Sequence, residues 1–352
     1  MLWLGFSPLG AIEYKYSGEF LRTGLGVRET SLGGAVVAAP VPAAAVYWNP
    51  ACLIANRTLN GLLMHAEEFA GVLSLDQMTL VWPHLTPFAR GIGWLRLGVD
   101  DIPNTLAALR DYGSDGIGPD DPRYPGPDAD GSEGNGLLDW GERLDFGKIS
   151  YYGATENAFY ISLARPFRPG IAIGGNLKAL YKHYGQYYAF GVGFDLALHA
   201  TFADRLQAGL VIRDLTTTLL FWQDGVKELI LPVIQIGATY PLQLPGLKLT
   251  LNPLLGLDIE MEGRQLQTDL DLGGLALRVR FGLETIIRER IALRLGRDAL
   301  GGHHLGLGIA TGVGHLDYGL ALNSATELGQ SHRIGLVIEL AALRQRVSAL
   351  ID

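Results

Sequence analysis

From residue 58 onward the chain alternates between apolar and polar positions. Between Leu247 and Glu260, Leu247, Leu249, Leu251, Leu255, Leu257 and Ile259 fall on one side of an extended backbone, and Lys248, Thr250, Asn252, Asp258 and Glu260 on the other. The stretch 275–284 repeats this, setting Leu275, Leu277, Val279, Phe281 and Leu283 against Ala276, Arg278, Arg280, Gly282 and Glu284. Near the end of the chain, Leu316, Tyr318, Leu320 and Leu322 oppose Asp317, Gly319, Ala321 and Asn323, and Ile334, Leu336, Ile338 and Leu340 oppose Arg333, Gly335 and Glu339. Successive side chains of a strand point to opposite faces, so a period of two predicts strands with one apolar face.

Such segments recur at 59–67, 78–84, 90–99, 155–165, 171–182, 188–199, 206–214, 231–241, 247–260, 275–285, 290–297, 303–311, 314–323 and 331–340. Most have the roughly 9–11 residues that a tilted strand needs to cross a bilayer. About fourteen strands, an even number, suit a closed antiparallel barrel with both chain ends on one side. Connection lengths agree with strand parity. The alternate connections 84–89, 166–170, 200–205, 242–246, 286–289 and 312–313 are all short, whereas 100–154, 215–230 and 261–274 are the longest. Short turns on one side and long loops on the other are the habit of outer-membrane barrels, with both termini periplasmic and the long loops extracellular.

The polar faces are rich in Gly and Ala and carry Arg together with Asp or Glu, where a wet sheet face would carry many Lys, Glu and Thr. Small residues and compensating charges suit a crowded lumen, and the Leu/Ile/Val face suits hydrocarbon. Aromatics gather near the expected strand ends, with Tyr184, Tyr187, Tyr188, Phe221 and Trp222 at one end and Phe167, Phe202 and Tyr240 at the other. Interfacial girdles have this distribution. The reading is therefore an all-β transmembrane barrel over 58–340, in contact with outer-membrane lipid.

Composition strengthens the membrane reading. Charged residues are only 18% and mean hydropathy is +0.19, against a charged share of about 25% for soluble domains. Yet no run approaches the roughly 18 apolar residues of a membrane-spanning helix; the longest candidate, Ala35 to Trp48, is broken by Pro40 and Pro42. Glycine, at 47 of 352 residues, is about twice its usual share. The net charge of −8 comes without a basic stripe, which argues against a nucleic-acid partner. A lone cysteine, Cys52, makes no intrachain disulfide. Residues 1–11 (MLWLGFSPLGA) read like the remnant of a secretory signal without its positive start.

Residues 12–57 lack alternation and are expected to fill the lumen as a hatch. Within them, FLRTGLGVRETSLGGAVVAAPVPAAAVYWNPACL runs from Phe20 to Leu53. A Gly/Arg-rich stretch (Gly24, Gly26, Arg28), a Gly-Gly-Ala segment (Gly33, Gly34, Ala35) and an aromatic before Asn-Pro-Ala (Trp48, Asn49, Pro50, Ala51) follow in order. This pattern resembles the N-terminal signature of the PorV/PorQ family within the FadL-like outer-membrane superfamily. GVGFDLALHA (191–200), RLQAGLVIRDL (205–215) and SHRIGLVIEL (331–340) also look like family strands. The resemblance implies a fourteen-stranded barrel with a lumenal hatch. It further implies one of two roles: an accessory to protein export of type IX secretion kind, with secretion components or exported proteins as partners, or a FadL-like channel for a hydrophobic ligand. Where the family carries acidic residues before the aromatic, this chain has Ala38-Ala39-Pro40-Val41-Pro42. It also continues past Leu340 in a tail, 341–352, expected to be periplasmic.

Three further groups bear on chemistry. In the acidic loop, Asp128 to Glu142 resembles the second half of an EF-hand: Asn135-Gly136 would make the sharp turn, with Asp139 and Glu142 at the ninth and twelfth ligand positions. Asp128, Asp130, Glu133, Asn135, Asp139 and Glu142 could supply oxygens to Ca2+, or form a solvated acidic loop. Lumen-facing Asp258, Arg278, Arg280, Glu284, Arg294, Arg333 and Glu339 could line a path, or pair with each other and with the hatch, since an unpaired buried charge is costly. Gly91, Gly93 and Gly98 in the third strand could weaken pairing and open a lateral exit. His303 and His304 are adjacent and so face opposite ways. No Ser/His/Asp or Cys/His constellation stands out, and the chain is not expected to be an enzyme.

Overall fold

A computed structural model describes residues 18–84, 87–202, 205–260, 269–272, 275–322 and 330–351. The expected signal remnant 1–11, the first part of the expected hatch and Asn323 lie outside the described residues. The chain forms two compact units, one of residues 1–98, 155–183 and 187–352, the other of 99–154 and 184–186.

Fourteen antiparallel strands close the barrel. They are β1 (Asn60–Glu68), β2 (Leu73–Val81), β3 (Ala89–Asn104), β4 (Ser150–Arg168), β5 (Ile171–Tyr184), β6 (Tyr187–Phe202) and β7 (Leu206–Arg213), then β8 (Val233–Thr239), β9 (Leu249–Glu260), β10 (Ala276–Ile287), β11 (Ile291–Arg297), β12 (His303–Thr311), β13 (Gly314–Leu322) and β14 (Ser331–Glu339). Closure is made by β1 on β14, in register from Asn60 opposite Glu339 to Glu67 opposite His332. A closed sheet has no edge, which is what lets strands cross hydrocarbon with every backbone group paired. Short strands at 218–222 and 227–230 extend the sheet beyond β7 and β8, the first pairing on β6.

The alternation sorts side chains as the sequence predicts. On β9, Leu255 faces out while Leu254, Gly256, Asp258 and Glu260 are buried, and on β11 Ile291, Leu293 and Leu295 face out while Ala292, Arg294 and Gly296 are buried. An outer surface carrying Phe159, Ile161, Leu163, Phe194, Leu196, Leu293, Leu307, Leu316 and Ile334, all exposed, is far larger than the apolar patch a soluble monomer tolerates. Hydrocarbon is the solvent that accepts it. At the rims, Tyr187, Tyr188 and Phe221 are exposed at one end and Phe167, Phe202 and Tyr240 at the other. Trp222 instead packs partly buried against the core.

One expectation is corrected here. The second strand spans Leu73–Val81 rather than 78–84, so the β1–β2 connection is a tight turn over 69–72. Its first half, Leu73-Ser-Leu-Asp-Gln, alternates too, but Asp76 and Gln77 disguise it: Gln77 is buried because it hydrogen-bonds the hatch backbone, donating from Nε2 to Gly24 O and accepting from Gly26 N at 2.9 Å. The residues after 340, expected as a tail, are helical. They form the helix α3 (Leu340–Ile351), which follows β14 without a break and is tied by Leu340 N to Leu59 O at 2.9 Å.

The second unit holds a two-stranded ribbon, Leu109–Arg110 on Arg143–Leu144. Arg110 pairs with Asp145 at 2.9 Å, and its hydrogen bond holds the Asp145 carboxyl below the ordinary carboxylate range.

Candidate functional site

The hatch is a run of short turns because its sequence forbids anything longer. The helix α1 (Val27–Ser31) is stopped by Gly33 and Gly34, both at positive φ, whose amides return to Thr30 O and Glu29 O at 3.0 Å. That is the glycine-terminated helix end expected where an L side chain would be strained. After the Ala/Pro stretch comes α2 (Ala45–Trp48), then a 3-10 helix over Pro50–Ala55.

The Asn-Pro-Ala motif is the joint between them. Asn49 caps the 3-10 helix by accepting from Ala51 N at 3.0 Å, and Pro50 takes the first helical position, where a missing N–H costs nothing. The Asn49 amide donates inward to Val37 O at 2.7 Å and outward to Leu198 O of β6 at 3.2 Å. Ala51 is small because β5 passes beside it, where a Cβ on Gly174 would lie 2.5 Å from Ala51 N. Asn49→Ala leaves these buried groups unpaired and should destabilise the protein by about 1–3 kcal/mol, read as a lowered thermal midpoint in detergent. Asn49→Asp, which sets a buried carboxylate oxygen against Val37 O and Leu198 O, should be at least as destabilising as Asn49→Ala.

Trp48 completes the knot. Its indole donates to Leu25 O at 2.7 Å and its ring packs on Gly24 and Gly34, where a Cβ would lie 3.1 Å and 2.7 Å away. The Arg213 guanidinium covers Tyr47 at 4.3 Å from the ring centroid. Of the motif, Gly33, Gly34, Trp48, Asn49, Pro50 and Ala51 are all buried.

Wall side chains grip the hatch through its carbonyls. Arg280 uses Nε and Nη2 on Asp258 Oδ2 at 2.9 and 2.7 Å, and Nη1 on Gly33 O at 3.1 Å. Arg333 donates to Thr23 O at 3.2 Å, and Thr79 to Ala43 O at 2.7 Å. Glu284 accepts from Arg28 of the hatch at 2.9 and 2.7 Å, and from Arg294 at 2.9 Å. Arg294 reaches on to Asp317 at 2.6 Å, while Arg278 pairs with Glu260 at 2.8 Å. Six of the seven expected lumen charges thus lie in paired networks inside the barrel. Glu339 does not: it stands exposed at the rim, because β14 ends there and the hatch does not reach it.

Sequence reasoning missed the matching network on β5–β7. There Lys178 bridges Asp195 and Asp214 at 2.8 and 2.7 Å, and Asn176 links Asp195 to Ser162. The inward parity of Lys178 and Asp195 was the available signal.

The glycines of the third strand have a different task from the one expected. Residues Gly91 to Gly98 pair continuously with β2. Cβ atoms at Gly91 and Gly93 would lie 2.7 and 2.9 Å from the methyls of Val46, so these positions are sockets for the hatch rather than a weak seam.

Two cavities flank the Ala/Pro stretch at the short-turn end. One, of about 370 Å³, is lined by Val27, Val41, Leu62, Ile291 and Val337 over a floor of Arg28, Glu284, Arg294 and Asp317. The other, about 700 Å³, is lined by Cys52, Ile54, Phe167, His199 and Thr201. Ala39, Pro40 and Pro42 line both, so uncharged small side chains are what separates them. The apolar substitution of this stretch, noted in the sequence, therefore falls on the partition.

The acidic loop does not assemble a cation site. Among the described residues no group of three or more His, Cys, Asp or Glu converges. The carboxylates are spent on the loop itself. Asp128 accepts from Ser114 Oγ at 3.1 Å, Asp130 from Ser132 Oγ at 2.6 Å, Glu133 from the Tyr124 hydroxyl at 2.7 Å, and Asp139 from Asn135 at 2.6 Å. Glu142 takes Gly113 N and Asp139 N, both at 2.9 Å. Short polar side chains readily bond nearby backbone in this way, and here they do so where the EF-hand reading required them to turn inward. His303 and His304 behave as adjacent strand residues should: His303 is exposed, and His304 is buried 2.7 Å from Asp298.

No protein-family model matches the chain. No curated protein sequence matches it either. Among solved structures, the toluene transporter TodX of Pseudomonas putida superposes with a TM-score of 0.52 at 11% identity, over 90% of this chain and 97% of that one. The Ralstonia pickettii toluene transporter TbuX gives 0.49 at 13%, over 90% and 97%. A Pseudomonas aeruginosa FadL homologue gives 0.48 at 11%, over 89% and 97%. At such identity the likeness to TodX is one of fold, and in fold this chain and that transporter are alike.

Proposed function

We propose that the protein is an outer-membrane channel that passes hydrophobic small molecules around its hatch, with the short turns periplasmic and the long loops outside. The observation that carries this reading is the pair of cavities that share Ala39, Pro40 and Pro42 in their linings. The smaller has the size of small-molecule pockets, roughly 300–1,000 Å³, and apolar walls. The partition has no charged side chain of its own and is held by two hydrogen bonds to charged groups, Arg28 to Ala39 O at 3.2 Å and Val41 N to Glu29 at 3.1 Å. The shared fold with a toluene transporter supports the same reading. The export-accessory role rests on the resemblance, chiefly that of residues 20–53, and stands second; the long loops 100–154 and 215–230 would then be its docking surfaces.

Stapling the hatch tests the proposal. With Val46 already against the Gly93 position, Val46→Cys with Gly93→Cys on a Cys52→Ser background has the close approach that a disulfide needs. Cells expressing the parent should take up radiolabelled toluene faster than barrel-free cells. Oxidation of the double variant should return uptake to background, and dithiothreitol should restore it. No uptake by the parent above barrel-free cells would defeat the channel reading, and equal uptake by oxidised and reduced forms would defeat hatch movement.

A further inference from the structure

The barrel is followed by the helix α3. A lone helix of about twelve residues is marginal in water, yet α3 is largely exposed along 344–349. It begins where the lipid-facing wall ends: β14 carries exposed Ile334 outward, and α3 starts one residue after Glu339. The Arg346 guanidinium lies against Gly312, leaving no room there for a Cβ, so the helix runs along the rim toward the β12–β13 turn.

Its sequence has the layout of a helix lying in an interface. Leu340, Leu343 and Val347 follow the spacing i, i+3, i+7 and share one face, and Val347 is 46% exposed. Arg344 and Arg346 fall on the two flanks of that face, Gln345 falls opposite, and no acidic residue occurs from 340 to 351. Arginines at the border between an apolar face and a polar one can bury their stems and hold their guanidinium groups at the phosphate level.

We infer that α3 lies on the bilayer at the short-turn end, with Val347 toward the acyl chains and Arg344 and Arg346 on phospholipid phosphates. The occupant of its open face is the headgroup layer of the membrane that surrounds the barrel. The barrel's apolar belt ends at the same rim, so the two surfaces are continuous. This inference does not depend on what the channel carries.

Spin labels decide it. Val347→Cys and Gln345→Cys, each on the Cys52→Ser background, are labelled in the intact protein and reconstituted into vesicles of phosphatidylcholine with or without phosphatidylglycerol. The label at 347 should collide several-fold more with oxygen than with a water-soluble nickel chelate, at a depth of about 5–10 Å; the label at 345 should show the reverse. Adding phosphatidylglycerol should deepen the 347 label, and Arg344→Gln with Arg346→Gln should abolish that response while leaving heat-stable barrel migration on gels unchanged. Equal, chelate-dominated collisions at both sites in both vesicles would overturn the inference, as would a 347 label shielded from both quenchers, which would place that face against protein.

Discussion

Gly296→Val is expected to unseat the hatch and convert a sealed barrel into a conducting one. On β11 this glycine touches the α1 terminus so closely that a Cβ would overlap Gly33 N and the carbonyl carbon of Leu32. Neither atom belongs to a flexible side chain, and Gly33 is itself held against the backbone of Arg297. Overpacking costs typically about 1–3 kcal/mol, and here the movement must carry α1 and its hydrogen bonds with it. Planar-bilayer recordings should show ion currents in the variant that the parent lacks, with a lowered thermal midpoint. Gly246→Val, at a position with nothing within 4 Å, should change neither. A Gly296→Val protein that remains sealed with an unchanged midpoint would mean the hatch does not sit in this contact.

Glu284→Gln is expected to have the largest effect of any single charge removal. This carboxylate is buried and accepts from Arg28, Arg294 and Asn252. Neutralising it leaves two guanidinium groups with only Asp317 and Glu29 between them. Losing one partner of a buried ion pair costs about 3–5 kcal/mol because the other charge stays desolvated. Detergent unfolding should report that loss, and protease should reach the hatch at lower temperature. Replacing Arg28 and Arg294 by Met in the same protein should not recover the stability, because Glu29 and Asp317 then lose their own cationic partners. Glu339→Gln, at the exposed rim, should be neutral; a comparable loss there would contradict the division between paired lumen and open rim.

The barrel was legible because its solvent is uniform. Hydrocarbon demands an apolar side chain at every outward position, so Leu293, Leu295, Leu305 and Leu307 mark their strands with no knowledge of their neighbours. The lumen imposes no such uniform rule. Gln77 broke the pattern of β2 because what faces inward is chosen by the nearby hatch, here the backbone of Gly24 and Gly26, while Asp76, on the opposite face, pairs with His65 and Arg96. Charge pairing was legible in kind but not in detail: Asp258 and Arg278 are opposite one another in register, yet Arg278 bonds Glu260 and Asp258 takes Arg280. The glycines misled for a related reason. A missing Cβ looks like weak pairing along one strand, and only the approach of Val46, more than forty residues earlier in the chain, shows it to be a seat. In the acidic loop the residue types suited a cation, but backbone amides within the same loop claimed the carboxylates first.

The hatch precedes every wall strand in the chain, yet its backbone touches walls as distant as Gly174, Gly209 and Gly296. A cylinder already zipped from Asn60–Glu339 to Glu67–His332 leaves no side gap through which it could be threaded. The hatch therefore enters either through an open end of the finished cylinder or before the first and last strands meet; in the second order, variants with a poorly fitting insert should stall with those two strands unjoined.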